Sequence, residues 1–331
     1  MSRLALDFCK MEVTVFHSFL NEGDDDSIWN NYLQLDRLFK YVKSSDGLSL
    51  KNIDLAAKMS FDNIMMDCEF EYVDSTESES NTFKFSIWNI PENTIFEEGD
   101  IIVVKYYWEA DTSRFTTYIG SIEAVTIDRK SADVKTTVTG SEISQSILYS
   151  WSNFQVYSQI NYYSDLQNVL KSELGLNLVS TVQELFQQTR LKNLIITKRT
   201  TIGAILDQIA SELNLQWKFV NNTDIYFYRT SEMNEGLFND TYKIEILDLD
   251  FNELTEFEIV DSSNVQFTCF GLPQMYAGSV FILNMDNTPS YVTLETSSYA
   301  LDEIEHKITF KSGFLSTGYA HKVGVDDDDS E

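Results

Sequence analysis

The chain has 331 residues, 43% of them apolar and 13% aromatic, enough to bury large cores and too many for one ordinary domain. Its 52 acidic side chains outnumber 24 basic ones, a formal charge of −28; that balance repels phosphate backbones and excludes sequence-specific nucleic-acid binding. No apolar run approaches the ~20 residues of a membrane span, and the first residues lack the apolar core and cleavage site of a signal peptide.

In chain order, residues 5–16 have strand-like stretches, and 21–27 (NEGDDDS) form a solvated acidic loop. That loop lacks the alternating oxygen ligands and closing Glu of a calcium-binding EF-hand. Residues 28–42 carry Trp29, Tyr32, Leu33, Leu35, Leu38 and Phe39 at helical spacing, with Ser27 as a cap. Strand character resumes over 58–73, where Cys68, Phe70 and Tyr72 repeat at period two, and DSTESESN (74–81) is a polar loop. Residues 82–138 are nearly all strand and turn. Phe83, Phe85 and Ile87 alternate with polar residues, Pro91 breaks the run, and EEGD turns the chain into IIVVKYYW at 101–108. After a turn at 110–113, strand 115–119 is interrupted by Gly120, then 121–127 and 134–138 flank a polar RKSAD turn. Short aromatic and β-branched strands at hairpin spacing predict a small antiparallel barrel or sandwich.

The period then lengthens towards 3.6. Leu166, Val169, Leu170 and Leu174 share a helical face between Ser164 and Gly175, and 181–189 is a second short amphipathic piece. An apolar strand at 194–196 leads to the clearest helix, capped by Thr200 or Thr201, with Ile202, Ile205, Leu206, Ile209, Ala210 and Leu213 on one stripe. Strands 216–220 and 225–228 follow, joined by a turn holding Asn221, Asn222 and Asp224. Residues 231–240 read as a linker and 242–249 open the last region. Strands are predicted at 264–271, 280–283, 291–297 and 306–311, with Pro273 and Gly278 in the turn 272–278; the acidic end, 324–331, is expected to be disordered.

The series in 82–138, the unit TTIGAILDQIASELNLQWKFVNNTDIYFYR and the stretch GLPQMYAGSVFILN to ITFKS resemble, in that order, the first barrel, inserted α/β module and second barrel of tailed-phage baseplate hub proteins, a family shared with contractile injection systems. The resemblance covers roughly 58–315. The fold class expected is α+β, mainly β: two small antiparallel β-barrel domains with an α/β module inserted between them. The domains expected are 1–148 (N-terminal extension and first barrel), 149–235 (module) and 236–331 (second barrel and acidic tail). There is no literal repeat, yet 83–138 and 265–310 share one scheme, with Pro91 and Gly99 matching Pro273 and Gly278. The resemblance implies a structural virion protein, assembled in the host cytoplasm into the tail baseplate. It would be a homotrimer whose two barrels per chain present six similar units, joining a hexameric tail tube to a central spike or tip. DNA would pass through the ring, and the acidic charge would either solubilise the surface or line that passage.

No catalytic, cofactor-binding or metal-binding residue is expected, and the chain is read as no enzyme. Cys9, Cys68 and Cys269 are far apart and odd in number, and are expected to be buried apolar side chains. His17, His306 and His321 form no HExxH or HxH pattern; His306 is expected on a strand, facing a neighbour or solvent. No phosphate loop or GxSxG motif occurs. Tyr106–Tyr107–Trp108 and Tyr226–Phe227–Tyr228 could be sugar platforms, but consecutive strand residues face opposite sides, one ring to the core and one outward. The competing functions are a tail-tip receptor-binding module and a cell-wall hydrolase with a carboxylate pair.

Overall fold

The computed structural model describes residues 9–16, 57–62, 68–76, 81–90, 96–108, 111–129, 133–143, 177–180, 200–220, 224–229, 247–273, 275–285, 295–309 and 312–323, with isolated positions between 164 and 171. The expected helix at 28–42, the acidic loop 21–27, the pieces at 181–189 and 194–196, Pro91, His17 and the acidic end lie outside them.

Alternating apolar residues produce a mainly β structure. The strands are β1 (Cys9–Phe16), β2 (Ala57–Asp62), β3 (Cys68–Ser75), β4 (Thr82–Trp88), β5 (Ile101–Trp108), β6 (Asp111–Asp128), β7 (Lys135–Glu142) and β8 (Asn177–Ser180). After helix α1 (Ile202–Leu213) come β9 (Gln216–Val220), β10 (Asp224–Tyr228), β11 (Leu247–Asp250), β12 (Leu254–Ile259), β13 (Asn264–Phe270), β14 (Val280–Asn284), β15 (Ser297–Thr309) and β16 (Gly313–Lys322). Thirteen strands form one sheet in the order β12-β13-β16-β15-β3-β4-β7-β6-β5-β1-β2, with β14 on β15 and β11 on β14. All neighbours are antiparallel except β11 and β14. The described strands make one continuous sheet, and among the described residues no pairing joins the two ends of this path into a closed ring.

Between its halves sits the expected α/β module. The small sheet β8-β10-β9 has β8 parallel and β9 antiparallel to β10. α1 begins at Thr201, whose extended backbone (φ −85°, ψ 164°) lets its hydroxyl accept from the Ala204 N–H, and ends at Asn214 in the left-handed region (φ 52°). Its stripe of Ile205, Leu206, Ile209 and Ala210 is buried.

The two halves of the large sheet repeat one another bond for bond. In the first, β4 pairs with β7, β7 with β6 and β6 with β5; in the second, β13 pairs with β16, β16 with β15 and β15 with β14. Gly99 (φ 87°) and Gly278 (φ 90°) enter β5 and β14 through the same turn. The Gly99 N–H donates to Ile122 O at 2.7 Å, and the Ile122 N–H donates to Asp100 O at 2.8 Å. In the second half the Gly278 N–H donates to Leu301 O at 2.7 Å, and the Leu301 N–H donates to Ser279 O at 3.0 Å. A side-chain oxygen closes both turns, Asp100 Oδ2 accepting from the Glu97 N–H and Ser279 Oγ from the Tyr276 N–H. Even the register breaks coincide, between Ile122 and Ala124 and between Leu301 and Glu303.

Each half has its own core. One gathers Met11, Val13, Phe70, Phe83, Phe85, Val104, Tyr106 and Val138; the other Val265, Phe267, Phe281, Leu283, Tyr299 and Leu301. Ile308 and Phe314, from the last region, complete the first core. β3 and β15 join the halves, from Ser75 opposite Glu303 to Phe70 opposite Ile308. Trp108 donates its Nε1–H to Gly271 O at 2.8 Å and stacks on Phe314. The module is anchored by a buried ion pair: Lys218 Nζ on β9 lies 3.3 Å from Asp74 Oδ1 and donates to Ala277 O at 2.8 Å. The Ala277 N–H completes the triangle by donating to Asp74 Oδ2 at 2.9 Å.

Candidate functional site

The structure describes the three cysteines and two of the three histidines. Cys9, Cys68 and Cys269 are buried, and burial pushes the Cys269 thiol up to about 12, which keeps it protonated and unreactive. His306 is buried on β15, facing neighbours rather than solvent. Its Nε2 lies 2.8 Å from Met275 O, which can only accept, and its Nδ1 lies 2.8 Å from Ser316 Oγ. His321 Nδ1 on β16 meets Asp302 Oδ1 at 2.7 Å. Among the described residues no three His, Cys, Asp or Glu side chains are placed to hold a metal ion, and no helix is long and apolar enough to cross a membrane.

The aromatic runs are not sugar platforms. Tyr106 and Trp108 are buried, and half-buried Tyr107 donates its hydroxyl to Glu12 Oε1 at 2.9 Å. Tyr226, Phe227 and Tyr228 are all buried. The expected alternation of inward and outward rings fails at β10 because both faces of that strand are covered; Tyr228 reaches Thr76 O at 2.6 Å.

What remains open is surface. One face of the large sheet is a row of charges: Glu71 lies opposite Lys84 and opposite Lys307, whose Nζ is 3.3 Å from Glu71 Oε2 and 3.8 Å from Glu305 Oε1. Lys135 Nζ lies 3.4 Å from Glu69 Oε2 and 4.5 Å from the Trp88 ring centre. Such half-exposed pairs contribute about 0–1 kcal/mol each and chiefly keep the face polar. A depression of about 320 Å³ on it is lined by Glu71, Lys84, Glu123 and Thr139. Both carboxylates there are already engaged, Glu71 by Lys307 and Glu123 by the Ser141 hydroxyl.

Three of the four exposed large apolar side chains among the described residues lie elsewhere, on strand ends. Ile127 on distal β6 is 53% exposed, and Ile259 and Val260 at the end of β12 are 45% and 44% exposed. β12 is not singled out in the sequence because in LTEFEI only Leu254 and Phe257 pack against the core, a spacing that does not alternate. It is nevertheless the terminal strand of the sheet. The β12–β13 turn holds it rigid: Asp261 Oδ1 accepts from the Ser263 and Asn264 N–H groups at 2.8 Å, and Asn264 Nδ2 donates to Asp261 Oδ2. These bonds hold the Asp261 carboxyl below its usual range, the Asn264 side chain contributing most. Exposed isoleucines on strand ends and a charged sheet face are the surface features of the described residues.

No family model matches the sequence, and no curated protein matches it. Solved structures do match. The 43 kDa tail protein of prophage MuSo2 from Shewanella oneidensis superposes with a TM-score of 0.55 at 10% identity, over 79% of this chain and 94% of that one. The tail protein from Neisseria meningitidis MC58 gives 0.54 at 8% identity, over 81% and 94%. A chain of the lidless PdpA–VgrG complex gives 0.52 at 8% identity, over 96% and 65%. With two repeated sheet halves and a helix-capped module between them, the chain shares the fold of phage tail proteins.

Proposed function

We propose that this chain is a structural tail subunit, a hub whose trimeric ring joins a hexameric tail tube to a central spike or tip. The observation that carries the reading is the likeness of fold to tail proteins, which extends over nearly the whole of two of them. The repeated pairing scheme supports it: three copies with two like halves each offer six similar faces, which suits a junction between three-fold and six-fold structures. In this reading residues 1–148 and 236–331 each build a barrel-like unit, and 149–235 form the module between them. The work done is mechanical, and no residue turns over a substrate. Partners are further copies, the tube and the spike.

Native mass measurement tests this directly. Three copies per particle, alone or with tube or spike proteins, are expected; a chain that stays monomeric with all of them overturns the hub. In the ring the carboxylates of the sheet face would line the bore. A reconstructed ring with a neutral or basic bore removes that part and leaves the hub standing.

A further inference from the structure

The geometry points to a heterologous, antiparallel strand pairing between two copies of this chain, in which the end of β6 (residues 127–129) of one copy lies along the open edge of β12 (residues 257–259) in the next. The inference deepens the hub reading and rests on it for the closure of the ring.

The argument is one of internal repetition. Inside the chain, the outer edge of β3 is covered by the far part of β15. β15 pairs with β14 as far as Ala300, and from Glu303 to Ile308 it lies against β3. In the second half the place of β3 is taken by β12. Tyr72 lies opposite Phe83 and Ile259 opposite Val265, and Phe83 and Val265 in turn face the equivalent residues Gly140 and Ala320. Nothing among the described residues covers the outer edge of β12. In the first half the place of β15 is taken by β6. It pairs with β5 as far as Ser121, and beyond Ile122 its only partner among the described residues is β7. Each copy thus offers one strand edge of the acceptor type and one of the donor type, and the step that joins β15 to β3 within a copy joins β6 to β12 between copies. Edges of different kind make the contact head to tail, which closes into a ring when the rotation allows.

The register follows from the shared break. Counting from Ala124 and Glu303, each just past it, Ile127 stands where His306 stands. His306 opposes Tyr72, whose counterpart is Ile259, so Ile127 of one copy opposes Ile259 of the next, with Thr126 opposite Val260. His306 is buried at the covered junction, whereas Ile127 and Ile259 are 53% and 45% exposed. Three of the four exposed large apolar side chains among the described residues, Ile127, Ile259 and Val260, fall within this pairing. Unsatisfied edges carrying apolar side chains are what a partner strand removes from water.

Charge sets the conditions. Asp128 falls opposite Glu258, which is unfavourable for directly opposed strand residues, while Lys135 lies across from Asp128 on β7 and Arg129 follows it. Copies that each carry −28 also repel at long range. Added salt screens both, so association strengthens as ionic strength rises through about 0.15 M, where the screening length is about 8 Å.

Cysteine cross-linking on the full chain tests the pairing, since the three native cysteines are buried. Directly opposed strand residues lie within the roughly 4.4–6.8 Å Cα separation a disulfide needs. A mixture of Ile127→Cys and Ile259→Cys chains is expected to give a covalent dimer on mild oxidation, neither variant alone doing so, and the double variant closed covalent rings. A mixture of Thr126→Cys and Ile259→Cys chains, whose thiols face opposite sides, is expected to yield at least about tenfold less. On the unsubstituted chain, amide exchange at 126–129 and 257–260 should slow as concentration rises, a readout independent of how the variants fold. Cross-linking of Ile127→Cys with itself, or an equal yield from Thr126→Cys, overturns the pairing. So does a particle of several copies with neither the cross-link nor the protection, an outcome that leaves the hub intact. A chain monomeric with tube and spike proteins overturns the hub and the pairing together.

Discussion

At the scale of single residues, His306 is the group whose protonation the fold resists. With Met275 O accepting from Nε2–H, the ring is neutral and Nδ1 accepts from Ser316, whose Oγ in turn accepts the Leu272 N–H at 3.1 Å. Burial is the main cause that lowers its pKa below the ordinary value, against smaller opposing effects of Met275 O and Asp74. The unfolded histidine therefore takes up its proton first as pH falls, and the folded state loses stability from about pH 6.5 downward, through the depressed folded value. Thermal melts between pH 8 and pH 5 should show this fall. His306→Gln should flatten it in the upper part of that window, and an unchanged profile would count against the assignment. The Lys218–Asp74 pair makes a second test, because both side chains are only 5% exposed. Lys218→Met strands a buried carboxylate and should cost about 3–5 kcal/mol in denaturant unfolding. Adding Asp74→Asn should recover a substantial part, and additive losses would show that the two do not act as a pair.

At the scale of elements, α1 was the most legible part of the sequence, since cap, apolar stripe and stop all agree. Thr201→Ala should cost about 1 kcal/mol of stability. Gly120 was misread as an interruption, whereas β6 runs straight through it. The residue is small because a Cβ would sit 2.6 Å from the Phe83 ring, not because the chain turns there. At Gly271 an added Cβ would overlap the Phe314 ring beside Trp108. Gly271→Ala should destabilise by about 1–3 kcal/mol, with loss of the near-ultraviolet signal of the packed tryptophan. Strands β8 and β16 and the middle of β15 escaped the reading: NLVS is too short to alternate, and in SSYALDEIEHKIT the charged outward row masks the inward Leu301, Ile304, His306 and Ile308. Hydrogen bonding to neighbours, which a single sequence does not display, decided these strands.

At the scale of the whole molecule, the resemblance suggested two like regions around a module, and the repeat showed in the sequence only as a shared strand scheme with Gly99 and Gly278 loosely matched. The identity of the pairing in both halves was not visible. Ladder bonds and turns conserve geometry while side chains diverge, so Asp100 and Ser279 perform one task with different oxygens. The joining of the halves through β3 and β15 was equally hidden, because neither strand carries a mark of its partner. Light scattering on a salt series gives the expected outcome at this scale. Mass per particle should rise with ionic strength for this acidic chain; a fall would mean that attraction between unlike charges, not apolar edges, holds copies together.

The seam between β3 and β15 also sets a clock. Residue 70 waits for residue 308, and at synthesis rates of about 5–20 residues per second the wait is on the order of tens of seconds. During that interval the first half carries a vacant edge and a core still missing Ile308 and Phe314. Closing so distant a contact is entropically slow. The nascent chain is thus exposed to wrong partners during synthesis, and ribosome-stalled chains ending before β15 should be cut by protease in β3 and protected once β16 has emerged.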